Sequence, residues 1–240
     1  MNVLLSGKIL VAGGFTEGYR NISSLEIIDL INTKLKSDIV VDVNGSRGGA
    51  TGGILQNQPL ICGGHDDDGD FNIKTNVLLI GMPNNGFEMM IPRTRISSVV
   101  LNESIMWITG GLTGSFDGNE LKSTEFFSFD RPPVQGPDLQ FTVYCHSMVL
   151  LNPTTIYLIG GFQNDQRSNN TWIIDPTNDF QIKAGPSLNI ARSVHSCSKM
   201  RIKGRIFLVV AGGYSNTEPL DSVELLDTTC PDQGWVIGMK

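Results

Sequence analysis

Short apolar runs alternate with polar, glycine-rich stretches along the whole chain. Five of these runs end on a glycine pair. Ile9-Leu10-Val11-Ala12 precedes Gly13-Gly14, Pro59-Leu60-Ile61-Cys62 precedes Gly63-Gly64, and Met106-Trp107-Ile108-Thr109 precedes Gly110-Gly111. Tyr157-Leu158-Ile159 precedes Gly160-Gly161, and Leu208-Val209-Val210-Ala211 precedes Gly212-Gly213. The pairs stand 50, 47, 50 and 52 residues apart. Short runs bounded by Gly, Asn and Pro read as strands, and no window keeps the i, i+3, i+4 apolar spacing of a long helix. A period near 50 residues predicts a repeat architecture, with function on equivalent loops rather than at one catalytic point.

The fifth repeat shows the plan. Residues 192–198 lead into a first strand, and Arg201-Ile202-Lys203-Gly204 makes a hairpin turn. Arg205–Ala211 is nearly all apolar, as expected of a strand covered on both faces. After Gly212-Gly213 and a polar loop, Ser222–Asp227 forms a third strand and Trp235-Val236-Ile237 a fourth. Equivalent third strands are Ser24–Asp29, Ser123–Asp130 and Thr171–Asp175, with a weaker Thr75–Ile80 in the second repeat. Gly-Pro-x-Leu recurs at Gly136–Leu139 and Gly185–Leu188. First strands begin near Arg47, Arg95 and Arg192, with Val143 in the arginine's place in the fourth repeat. A four-stranded unit of this size cannot bury both of its faces, and stacking such units around an axis gives a β-propeller.

These features together resemble kelch repeats: the apolar run ending in Gly-Gly, the acidic third strand, the Asp175-Pro176-Thr177-Asn178 turn, Trp235, and Arg192-Ser193-Val194-His195. The resemblance covers essentially all 240 residues. It departs where only Trp235 keeps the fourth-strand tryptophan, and where Ile28, Phe129, Ile174 or Leu226 stands for a tyrosine. The fold expected is therefore all-β, a single kelch-type propeller domain of four-stranded antiparallel blades. Its repeats run approximately 1–46, 47–94, 95–141, 142–191 and 192–240. The first repeat begins almost at its second strand, with only Val3-Leu4-Leu5 ahead of it. An incomplete six- or seven-bladed ring is expected first, a five-bladed ring with a three-stranded first blade second, and closure by another chain third.

Composition narrows the partners. A formal charge of −6 argues against nucleic acid and anionic membrane. No apolar run approaches the ~18 residues of a membrane-crossing helix, so no membrane insertion is expected. Residues 1–8 lack the charged and apolar regions of a secretory leader. The four cysteines form no CxxC pair, and three fall in strands as buried thiols, which favours the cytoplasm while leaving an extracellular setting open. Asn21, Asn44, Asn102 and Asn169 each begin an Asn-x-Ser/Thr sequence, a number that eighteen asparagines supply by chance.

In an antiparallel four-stranded unit, the loops after each glycine pair share a rim with the connection that precedes each first strand. Long loops on one rim are where binding concentrates. In kelch relatives that rim binds peptide segments. By that resemblance Phe15, His65, Phe162 and Tyr214, each directly after a glycine pair, and Arg47, Arg95 and Arg192 are candidates for contacting a protein or peptide ligand. Aromatic and arginine side chains are common interface anchors. The alternative for the arginines is bonding to loop carbonyls, and for the aromatics it is loop packing. The acidic loop 65–70 fails calcium-loop spacing, with glycine fourth and Val77 twelfth, and reads as solvated. Tyr144-Cys145-His146 evokes the copper site of galactose oxidase relatives, but strand neighbours face opposite ways, so packing is the better reading. The sialidase box, nucleophile elbow, phosphate loop and zinc spacings are missing. No cofactor, metal or catalytic residue is assigned. A protein-interaction module is expected, in kelch proteins often a ubiquitin-ligase substrate receptor or an actin binder. The rivals are a kelch-fold oxidase or sugar-processing enzyme and an extracellular adhesion propeller.

Overall fold

The computed structural model describes residues 2–5, 8–16, 20–29, 37–42, 47–66, 77–79, 87–114 and 118–238. The regular structure among them is all β except one short 3-10 turn, Pro231–Gln233. The chain forms two compact units, Met1–Gly136 and Pro137–Lys240.

The first unit holds three antiparallel sheets in chain order, besides a two-stranded pair, Leu112–Thr113 with Asn119–Glu120. Asn2–Leu5, Lys8–Ala12, Ser24–Asp29 and Ser37–Asp42 make the first, with Val3 opposite Leu10. The expectation that this repeat begins almost at its second strand is thus corrected, because Asn2–Leu5 pairs residue by residue with the second strand. Thr51–Leu55, Gln58–Cys62 and Val77–Leu79 make the second sheet. Ser97–Asn102, Ile105–Thr109, Thr124–Phe127 and Val134–Gln135 make the third. The second unit holds two four-stranded sheets. One is Ser147–Asn152, Thr155–Ile159, Thr171–Asp175 and Gln181–Ala184, and the other Ser196–Ile202, Arg205–Ala211, Val223–Asp227 and Val236–Ile237. Each four-stranded sheet keeps its strands in chain order, so every neighbour is joined by a short antiparallel connection.

The second strands sit between first and third strands. In the middle three repeats they are covered on both faces: Leu60, Ile61 and Cys62, Met106 to Thr109, and Ile156 to Ile159 are all buried. For Arg205–Ala211 the expectation of cover on both faces is corrected, because only Leu208 and Val210 are buried and the residues alternating with them face a half-open side. In the first unit Leu55, Leu60, Cys62, Met89, Ile96, Met106, Ile108 and Phe127 form one core, which the second and third repeats build together. In the second unit the fourth and fifth repeats do the same with Val149, Tyr157, Ile159, Leu188, Leu208, Val210, Leu226 and Trp235. Leu188 is the leucine of Gly-Pro-x-Leu, and Trp235 donates its indole N–H to the Pro186 carbonyl of the same signature at 2.8 Å. The signature therefore closes one repeat against the fourth strand of the next.

The glycine pair is the joint between consecutive sheets. The N–H of its second glycine donates to a carbonyl of the next repeat: Gly14 to Arg47 at 3.1 Å, Gly64 to Arg93 at 3.0 Å, Gly161 to Arg192 at 2.9 Å. At Gly160 (φ 58°) a Cβ would lie 2.6 Å from that same Arg192 oxygen. At Gly161 (φ 82°) it would lie 2.6 Å from the Tyr144 oxygen and 2.7 Å from the Cβ of His146. Both the dihedral and the space exclude a side chain there.

Gly161→Ala is expected to destabilise the protein by at least about 2 kcal/mol. Gly204→Ala, at the same φ of 82° but with open space around it, should cost only about 1 kcal/mol. Urea unfolding of the two variants separates steric conflict from dihedral cost, and equal losses would contradict the joint.

Candidate functional site

The arginines that precede the first strands turn inward. Arg192 is fully buried and donates from Nη1 to the carbonyls of Gly212 (2.9 Å) and Ser222 (3.2 Å). Its Nη2 bonds Ser222 Oγ at 3.1 Å and pairs with Glu224 Oε1 at 2.8 Å. Glu224 also accepts the backbone N–H groups of Asn189 and Ile190. The third repeat has the same set, carried by Arg93 rather than Arg95. Arg93 donates to Gly110 and Ser123 carbonyls, both at 3.0 Å, and pairs through Nε with Glu125 at 2.9 Å. Burial pushes the Glu125 carboxyl up and the Arg93 guanidinium down, and each charge holds the other. Arg47, 2% exposed, donates to the Gly63 carbonyl at 2.8 Å, with Asp66 as its nearby carboxylate. Arg47 and Arg192 therefore act inside the fold, bonding loop carbonyls.

Arg95 lies two residues after that buried position, at φ 55°. Gly49 (65°), Cys145 (54°) and Val194 (57°) occupy the equivalent place in their repeats and share the left-handed conformation. It turns the carbonyl toward the next sheet: Arg95 N–H donates to Gly49 oxygen at 2.7 Å and Val194 N–H to Cys145 oxygen at 3.0 Å. A valine at positive φ is a true outlier, and Val194 is also 58% exposed. The alternation argument for Tyr144 and Cys145 fails here, because the strand breaks at Cys145 before resuming at Ser147. The Arg95 guanidinium has no hydrogen-bond or ion-pair partner among the described residues.

The residues after the glycine pairs differ among themselves. Four of the five bridge to the residue that follows the buried arginine position: His65 to Gly48, Leu112 to Thr94, Phe162 to Tyr144, Tyr214 to Ser193, whereas Phe15 bridges to Asn21. His65 is buried, with Nδ1 2.8 Å from Thr94 Oγ1. Phe15 is 49% exposed, its ring 5.8 Å from that of His65. Phe162 is held between Tyr144, stacked at 4.7 Å, and the Arg167 guanidinium, 4.7 Å from its centroid. Arg167 also donates to Ser193 Oγ, the Ser215 carbonyl and Asn216 Oδ1, which pins the loop of the fifth repeat. Tyr214 is 44% exposed. In the first unit the structure thus brings Phe15, His65 and Thr94-Arg95 to one rim. In the second it brings Phe162, Tyr214 and Val194 to one. The acidic loop beyond Asp66 lies outside the described residues. Among those described, no three His, Cys, Asp or Glu side chains gather as metal ligands. No described helix is long and apolar enough to cross a membrane.

The fourth repeat shows what sequence reading missed. It has neither the arginine nor the glutamate: Val143 and Trp172 stand there, and Gln163 Nε2 serves the Gly160 carbonyl at 3.5 Å. Gln163 Oε1 in turn accepts from Asn170 and Trp172. The signal was present in Ser123-Thr124-Glu125 and Ser222-Val223-Glu224, each following an arginine by about thirty residues and both absent where Val143 replaces it. His146 and His195, which the sequence offers as packing residues near the first strands, are buried at one equivalent position. Burial pushes His146 down to about 3 and His195 down to about 4, with His195 facing His146 and Arg192 beside His195.

A scan against protein-family models finds no match, and no curated protein matches the chain.

Two predictions follow from these buried charges. Arg192→Met should destabilise by about 3–5 kcal/mol, because Glu224 is left buried and uncompensated. Adding Glu224→Met should recover part of that loss, and additive losses in urea unfolding would refute the pairing. The histidines are neutral when folded and titrate near 6.5 when unfolded, so the unfolded chain binds more protons below pH 6.5. Their stability contribution is full above that value and falls as pH drops toward 4. Two such groups give a slope of up to about 2.7 kcal/mol per pH unit. His146→Gln should reduce the slope, and an imidazole NMR titration near 6.5 for either residue would overturn the assignment.

Proposed function

We propose that the sheets are blades of a kelch-type β-propeller and that the protein is a binding module for a partner protein's peptide segments. The observation that carries this is the contrast at the glycine-pair rim. The polar side chains that build the joint are consumed internally, while Phe15, Val194 and Tyr214 stay exposed and the half-buried Arg95 keeps a guanidinium with no partner among the described residues. In the first unit the contact set is Phe15 with Arg95, a flat apolar surface and a cation without an internal partner. In the second it is Tyr214 with Val194, 44% and 58% exposed. Phe162, His65, Arg47 and Arg192 support these residues from beneath. The same strand order in each four-stranded sheet, with one joint repeated between sheets, supports the propeller reading. Capture is non-covalent, and aromatic and arginine side chains supply most of the affinity at such surfaces.

Selection of a displayed random peptide library against the protein tests this. Enriched peptides are expected to lose about tenfold or more in Kd, ~1.4 kcal/mol, with Phe15→Ala, Arg95→Ala or Tyr214→Ala. Glu103→Ala, in a hairpin at the other end of its sheet, should leave binding unchanged. Failure to enrich any peptide, or peptides indifferent to all three rim variants, refutes the assignment.

A further inference from the structure

Of the four Asn-x-Ser/Thr sequences, Asn44-Gly45-Ser46 lies outside the described residues, and the other three are placed very differently. Asn21 is partly buried, bridges to Phe15 and donates from Nδ2 to the His65 carbonyl at 3.1 Å. Asn169 donates from Nδ2 to the Leu188 carbonyl at 3.0 Å, and the hydroxyl-bearing Thr171 of its sequence is buried, 2% exposed. Asn102 is exposed, at the turn of the hairpin between Ser97–Asn102 and Ile105–Thr109. Its Oδ1 accepts the Ser104 N–H at 2.9 Å, and its Nδ2 has no partner among the described residues. We propose that Asn102 is an acceptor for an N-linked glycan, and that Asn21 and Asn169 are not.

The reaction places demands that, of these three, only Asn102 meets. The Asn102 amide nitrogen forms a bond to the first sugar carbon of a lipid-linked oligosaccharide. The bond from that carbon to the pyrophosphate oxygen breaks, its electron pair leaving with the pyrophosphate, and one amide proton passes to a base on the transferase. The nitrogen must therefore be accessible and not already donating to the fold. The Ser104 N–H contact fixes the side chain while using only its oxygen, and it brings the residue that carries the required hydroxyl against it.

The neighbouring repeat contains the matching control. Asn152-Pro153-Thr154 forms the equivalent hairpin, with the same irregularity before the asparagine and the same N–H to Oδ1 bond at 2.9 Å. It differs in the middle residue, where proline abolishes acceptance. The geometry thus exists twice, and the sequence permits modification once. Asn102 also lies at the far end of its sheet from Gly110-Gly111. A glycan there leaves the glycine-pair end of that repeat uncovered.

The full chain, secreted from a eukaryotic cell behind an added leader, provides the test by intact mass and glycopeptide mapping. Among Asn21, Asn102 and Asn169, only Asn102 is expected to carry a glycan. Asn102→Gln should leave these three positions bare and Pro153→Glu should add a glycan at Asn152, with circular dichroism and thermal unfolding showing that each variant is folded. An unmodified Asn102, or equal occupancy of Asn21 or Asn169, overturns the proposal. A folded Pro153→Glu protein with no glycan at Asn152 overturns its geometric basis. Peptide binding by the secreted protein is read separately, so loss of the glycan and loss of the rim function are distinguishable.

Discussion

The fold hangs on one backbone hydrogen bond, made by the second glycine of three pairs, from Gly14, Gly64 and Gly161 to the carbonyls of Arg47, Arg93 and Arg192 ahead of the next sheet. For that bond to form, two backbones must meet at a distance that leaves no room for a Cβ. The rest is arranged around it. The first glycine takes positive φ to end the second strand. The carbonyl it exposes is met by an arginine, as at Gly63, Gly110 and Gly212, or by Gln163 at Gly160. The residue two beyond the arginine position turns left-handed and makes a second link between repeats. Alanine at a glycine of this joint would lengthen a bond on which two sheets depend, not merely strain one residue.

Buried charge in this setting comes as a set. Arg93 with Glu125 and Arg192 with Glu224 place two ionised groups in a region with almost no water, which is tolerated because each also bonds to backbone. Removing one member alone would strand the other. The fourth repeat has exchanged the set as a whole. Val143 fills the arginine's space, Trp172 replaces the glutamate and stacks on Phe141 at 4.8 Å, and the neutral Gln163 takes over the carbonyl. The carbonyl demand is constant, and the charge used to satisfy it is not.

The repeat, the strand order and the apolar second strands were legible because they rest on local periodicity and on glycine at fixed places. The roles of Arg47 and Arg192 were not, because an arginine before a strand reads the same whether it points into a loop or away from it. What decides is Glu224 for Arg192 and the Gly63 carbonyl with Asp66 for Arg47, contacts that only tertiary structure makes. The shift from Arg95 to Arg93 has the same origin: both arginines sit in one short connection, and only the left-handed residue between connection and strand fixes the register. Phe162 was chosen as an exposed aromatic on its position alone, yet Tyr144 and Arg167, far apart in the chain, enclose it.

The two ends of each sheet carry different physical constraints. At the hairpin end, turns such as Asn102–Ile105 and Asn152–Thr155 satisfy their own backbone with one asparagine oxygen, and the first of them adds a single link to the neighbouring repeat, from Gln56 N–H to the Glu103 carbonyl at 2.8 Å. At the glycine-pair end, almost every polar group is shared between repeats, so the loops there are held by several independent bonds, as Arg167 holds the loop at Ser215. Side chains that emerge from that end, Val194 at positive φ above all, are positioned by backbone that cannot relax without breaking a joint. Rigid presentation lowers the ordering cost of binding. The end of the sheet most constrained by the fold is therefore the one best suited to hold a partner, and the lightly linked hairpins are free to vary.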